Sequence, residues 1–212
     1  MFTSYRQEMT IEELDVKYIE TSQFIPVFPL PLFMLPEGKQ RLRIFEARYL
    51  SMIGSLGQDN CFVVARHDRM LPFGVPKWGT LVHITDFNID EDQILLIDVE
   101  GLSLLGLVNM KYQYDGLLLA QTKPRPHWHR TPNIAEPPAT LRLALQMLFD
   151  EYPQLSDLYT VRALSRVDWV SARLIEVLPI SQKEKERFIE PNSLPSLVSF
   201  LNDIFEGSSK LN

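Results

Sequence analysis

Pro29, Pro31 and Pro36 punctuate one apolar strip, FPLPLFMLPEG (residues 28–38). A proline gives no N–H to a ladder and cannot sit inside a helix, so the strip has to lie at a sheet edge or in an extended loop. Phe24 to Phe28 reads as a strand. Directly after the strip, Ile44, Phe45, Tyr49, Met52 and Ile53 fall near one helical face, which predicts a helix over 43–55.

From Cys61 the period changes. CFVVAR, TLVHITDFNI, QILLIDV and LSLLGLV are short runs rich in Val, Ile and Leu and read as strands. The alternation slips near Thr85–Asp86, the mark of a β-bulge. Glu100-Gly101 and Asp115-Gly116 read as turns, the second opening the strand LLLAQT. Short strands at nearly regular spacing predict a closed or nearly closed antiparallel barrel over 24–122. Residues 123–138, KPRPHWHRTPNIAEPP, hold five prolines and form a linker. Beyond it the period is helical over 139–206. Leu141, Ala144, Leu145 and Leu148 make one face, and Val167, Val170, Leu174 and Leu178 another. Pro179 stops the second helix, and Ser181 to Glu184 has capping-box spacing. Thr10 to Glu13 has the same spacing, so a short helix is expected within an N-terminal extension, 1–23. Residues 207–212 read as a frayed end. The class is α+β, a strand lobe followed by a helical lobe.

Composition sets limits on function. A chain of 212 residues buries roughly 70% of its unfolded surface, so its core needs no staple. Cys61 is the only cysteine, which excludes an internal disulfide and a four-cysteine zinc site and favours a reducing compartment. The start, MFTSYRQEMT, has no apolar h-region, and no apolar run approaches the about 20 residues of a membrane span. A cytoplasmic protein with no membrane attachment is expected. The formal net charge of −6 repels nucleic-acid phosphate and leaves only a local basic patch as a possible binder. Cys61 opens an apolar strand, where cysteine packs as a small hydrophobe. His127 and His129 lack a third ligand, so no metal is expected. Asp90-Glu91-Asp92 reads as a solvated turn. Gly38-Lys39 is followed by Gln40, without the spacing of a phosphate loop, so no nucleotide or other cofactor is expected.

Residues 28–53 resemble the start of the Lon N-terminal domain, the substrate-binding part of the ATP-dependent Lon proteases. Phe28-Pro29-Leu30 opens the resemblance, Pro36-Glu37-Gly38 closes the apolar strip, and Leu42-Arg43-Ile44-Phe45-Glu46-Ala47-Arg48-Tyr49 follows. Gly79-Thr80, Val99-Glu100-Gly101 and LPISQKEKERFIE (178–190) extend the similarity over roughly Phe24 to Phe205. The resemblance implies a PUA-like β-barrel joined to a helical bundle. In that picture the proline strip is an edge strand, and Ile44, Phe45 and Tyr49 plug the barrel side. Glu46 and Arg48, two apart on a helix, are not expected to pair. The chain looks like a stand-alone substrate-binding domain without motor or peptidase. Ser181 and Lys183 sit in a helix cap, and no catalytic residue is expected.

The expected function is therefore non-catalytic binding of exposed or unfolded segments of client polypeptides, with a full-length Lon protease as a further candidate partner. The loop His67 to Trp78 is long for a hairpin connection and carries Met70, Leu71, Phe73 and Trp78. With Trp128 of the linker these are the candidate peptide-binding residues. The alternative is an RNA-binding PUA-like module using 123–130, where Lys123, Arg125 and Arg130 surround Trp128.

Overall fold

The computed structural model describes residues 23–128 and 136–209. The expected N-terminal helix, His129 and Arg130 of the basic stretch, and residues 210–212 lie outside them. The strand lobe comprises β1 (Ile25–Leu30), β2 (Lys39–Ile44), helix α1 (Ala47–Ser55), β3 (Cys61–Arg66), β4 (Trp78–Ile89), β5 (Leu95–Tyr112) and β6 (Leu118–Pro124). The order is β2-β5-β4-β3-β1-β6, and β6 pairs back onto β5. Five strands thus close a ring, to which β2 adds along the first part of β5. The pairing is not wholly antiparallel as expected, because β1 and β3 run parallel.

The proline strip departs from the edge-strand expectation, since β1 has neighbours on both sides. Its register explains how prolines are tolerated there. Pro26 has a ladder partner only in β6, and Pro29 only in β3. Each proline faces one neighbour, so neither interrupts a two-sided ladder. Gly101 is a second correction. It lies inside the 18-residue β5 and makes no turn. A side chain there would put a Cβ 2.5 Å from the carbonyl oxygen of Leu35, so the glycine serves close backbone approach. The bulge is where the alternation placed it, between Ile84 and Asp86, and Asp115–Gly116 is the turn between β5 and β6.

Alternate strand residues feed two clusters. Val27, Val63, Leu81, Leu105 and Leu118 belong to one; Phe28, Phe62, Val64, Val82 and Ile97 belong to the other, which Met52 of α1 completes. Helix α1 begins at Ala47, not Arg43, since Arg43 and Ile44 finish β2. Leu42 and Ile44 alternate inward with strand period, and the sequence alone could not separate this from a helical stripe. Ile44 is buried and Tyr49 stacks on Phe28 at 3.9 Å, but Phe45 is 69% exposed at the corner and plugs nothing. Glu46 and Arg48 do pair, Oε2 to Nε at 3.0 Å. Glu46 has an extended backbone just ahead of the helix, so the helical spacing rule does not apply to it.

The helical lobe holds α2 (Ala139–Glu151), α3 (Pro153–Ser156), α4 (Val167–Val177), α5 (Gln182–Glu186) and α6 (Leu194–Ser209). Helix α4 is buried continuously from Val167 to Ile175, with α2 contributing Leu141, Leu145 and Phe149, and α6 contributing Leu197 and Leu201. Ser181 caps α5 in the expected box, its hydroxyl accepting from Glu184 N–H. Phe33, Leu35, Trp78 and Leu104 of the strand lobe join this same cluster. The two lobes share this cluster.

Their joint is the strip Phe33–Gly38. Leu35 N–H donates to Glu176 Oε1 at 2.7 Å, and Arg173 donates to Pro36 C=O at 3.0 Å. Arg173 also forks onto Glu176 at 2.7 and 2.9 Å, while Lys185 Nζ holds the backbone oxygen of Glu176. Burial pushes the Glu176 carboxyl upward, and the Arg173 guanidinium pulls against it. Glu37, at φ 63°, pairs with Arg166, and Lys39 N–H donates to Tyr159. Gly38 is required by proximity, because a Cβ there would lie 2.5 Å from Glu176 Oε1.

Removing one member of a buried ion pair strands the other. Arg173→Met should therefore cost about 3–5 kcal/mol. Arg173→Met/Glu176→Met should recover part of that loss, although the Leu35 amide and Pro36 carbonyl stay unpaired. Urea denaturation measures both. A single variant as stable as the parent would remove this pair from the joint.

Candidate binding surface

The loop after β3 is anchored at both ends. Arg66 donates to Asp68 at 2.8 Å and to Glu186 of the helical lobe at 3.1 Å. Its hydrogen bond holds the Asp68 carboxyl below the usual range. Asp68 in turn accepts from Met70 N–H, and its own N–H donates to Gly74 C=O. Pro72–Gly74 forms a single 3-10 turn. At its centre Phe73 has φ 59°, the left-handed region that a bulky residue rarely occupies. Tyr112, at the end of β5, donates its hydroxyl to Phe73 C=O at 3.1 Å and packs its ring 5.8 Å away.

The expected binding residues divide. Met70 is 89% exposed and Phe73 38%, with Leu71 half-buried between them. Trp78 does not belong to this surface. It opens β4 at 8% exposure, edge-on to Phe33, and anchors the shared core. Trp128 is also committed to structure. Its Nε1–H donates to Phe188 C=O at 2.8 Å and also reaches Ser193 Oγ, and its ring packs against the helical cluster. His127 stacks on it, and burial pushes the His127 imidazole toward its neutral form. A groove of about 510 Å³ does lie at the seam of the lobes, but none of the five expected residues lines it. Sequence reasoning missed Tyr112, because the strand ending in Val108 continues four residues further.

The ladder sets Cys61 opposite His83, and His83 opposite Glu100, a juxtaposition that spacing could not show. Cys61 is buried and its thiol donates to Asp59 C=O, while burial pushes the His83 imidazole down. This is the environment of an inert thiol. Among the described residues, no group of three or more His, Cys, Asp or Glu could hold a metal, and no helix is long and apolar enough to cross a membrane.

No protein-family model matches the sequence, and no curated protein matches it. Its architecture is shared with solved structures, two of which are Lon N-terminal domains. The crystal structure of a Lon N-terminal domain protein from Xanthomonas campestris aligns with a TM-score of 0.61 at 23% identity, over 84% of this chain and 96% of that one. The N-terminal domain of a Lon protease from the Mycobacterium avium complex aligns with a TM-score of 0.59 at 13% identity, over 85% and 97%. At these identities the likeness is one of fold. The chain has the α+β architecture of a Lon N-terminal domain.

The left-handed Phe73 yields a test of the loop. Phe73→Gly relieves the backbone, whereas Phe73→Val places a β-branched residue where it fits worst. The urea midpoint of Phe73→Gly should exceed that of Phe73→Val, although valine keeps more apolar surface. The reverse order would mean that the loop does not hold this conformation in solution.

Proposed function

We propose that the chain is a non-catalytic protein-binding module that holds exposed segments of client polypeptides against the loop between β3 and β4. The supporting observation is the strained presentation of Phe73. Its backbone sits in an unfavourable region, fixed by Tyr112, beside a methionine left almost wholly in solvent. Strain retained on a surface loop is a recurrent feature of ligand clamps. Methionine and phenylalanine suit a promiscuous surface, being large, apolar and adaptable. The architecture shared with the N-terminal domain of a Lon protease favours the same reading, and a full-length Lon protease belongs among the proposed partners. Cytoplasmic residence is part of the proposal, with Cys61 buried and in no disulfide.

The RNA-binding alternative loses ground at Trp128. A stacking platform needs an open aromatic face, and this ring is turned into the helical lobe.

The test is titration of a reduced, alkylated and permanently unfolded model protein against the parent and Met70→Ser/Phe73→Ala, at low and high salt. The double variant should bind on the order of tenfold more weakly, since two apolar contacts are worth about that much. Salt should change the parent's affinity little. Equal binding by the variant would remove the loop from the site.

A further inference from the structure

Four of the ten residues that line the seam groove are charged. Lys77 enters from the loop, Lys123 and Arg125 from the end of β6 and the segment after it, and Glu190 from the helical lobe. Three cations face one carboxylate, and that carboxylate is engaged by Arg125 at 3.0 Å. Neither lysine ammonium forms an ion pair with another described residue.

The fold holds these cations in place. Lys123 is the ladder partner of Gly106, and a Cβ at Gly106 would lie 2.9 Å from both Cγ and Cε of the lysine. The glycine therefore lets the lysine stem lie flat across β5. Arg125 is fixed from two sides, its guanidinium 5.7 Å over the Trp78 ring and its N–H on Leu104 C=O. Its Nε is buried with no hydrogen-bond partner among the described residues. Lys77 is placed by its own carbonyl, which accepts from Leu107 N–H.

We propose that this groove binds the carboxylates of an acidic peptide segment. Charge complementarity on a chain of net charge −6 marks it as a localised anion site. The occupant is a peptide and not a nucleic acid, because among the described residues no aromatic side chain lines the groove to stack a base. Pro124, Pro126 and Pro191 contribute apolar walls that fit aliphatic side chains between the acids. Near the groove β5 and β6 are paired with each other, so contact is through side chains and not strand addition. The inference does not rest on Met70 or Phe73, and the two readings fail separately.

The experiment is fluorescence anisotropy with a short labelled peptide alternating glutamate and leucine, a control with glutamine for glutamate, and a short oligothymidylate. The full chain is used, with melting temperature as the folding check. Lys77→Gln/Lys123→Gln removes exposed ammonium groups and should weaken the acidic peptide about tenfold, the worth of a charged hydrogen bond. Glu190→Gln removes the competing carboxylate and should tighten binding, a gain that mere structural damage cannot mimic. Added salt should weaken the parent's binding. Undiminished binding by the lysine variant, equal affinity for the glutamine control, or tighter binding of the oligonucleotide would each overturn the proposal.

Discussion

Glu176 presents a carboxylate whose side chain is only 8% exposed, and one of its two partners lies across the lobe boundary. It accepts the Leu35 amide, while Arg173, which neutralises it, also holds the Pro36 carbonyl. A proline-broken strip can make no regular ladder of its own, so these backbone groups would otherwise be buried and unpaired, at a cost of about 1–3 kcal/mol each. The ion pair is thus the means by which irregular backbone is buried. It also explains two glycines, one at the end of the strip and one facing it. Gly38 leaves room for the Glu176 carboxylate, and Gly101 lets β5 approach Leu35 closely enough to exchange hydrogen bonds with Glu37 and Gly38.

The two proposed surfaces follow from that joint. Because Phe33 and Leu35 are held against α4, Trp78 is drawn into the helical core, and the chain on either side of it is placed by the same contact. Before Trp78 the loop is clamped by Arg66 to Glu186. Beside it Arg125 lies over the tryptophan ring and faces Glu190. The groove is lined from both lobes, whereas the Phe73 turn is held by Tyr112 of the strand ring and, through Asp68 and Arg66, reaches the helical lobe only at Glu186. The two surfaces therefore differ in what supports them as well as in their chemistry.

Much of the architecture was legible because its punctuation is local. Proline and glycine placed the strip, Ser181 with Glu184 placed a cap, and a slipped alternation placed the bulge at Ile84–Asp86. What escaped depended on partners distant in sequence. Gly101 in a strand looks like Gly101 in a turn until the Leu35 carbonyl is known to press on it. Ile44 and Phe45 are adjacent and equally apolar, yet one closes a strand inward and the other turns out at the corner. Trp78 looked like a loop residue, although its neighbours Gly79 and Thr80 open a strand. Of the candidate binding residues, Met70 and Phe73 stand on the surface as expected. The groove was half-visible, since Lys123 and Arg125 sit in a basic stretch, but nothing in the sequence brings Lys77 beside them.

The central claim is that the strip makes the two lobes one cooperative body. Native-state hydrogen exchange tests it most directly, at the amides of Leu35 and Lys39, whose acceptors are the side chains of Glu176 and Tyr159 in the helical lobe. Both amides should exchange only through global unfolding, with the same free energy and denaturant dependence as amides in the centres of β3 and α4. Exchange of Leu35 and Lys39 by a lower-energy opening, while both cores stay protected, would show that the lobes separate and that the buried pair does not hold them.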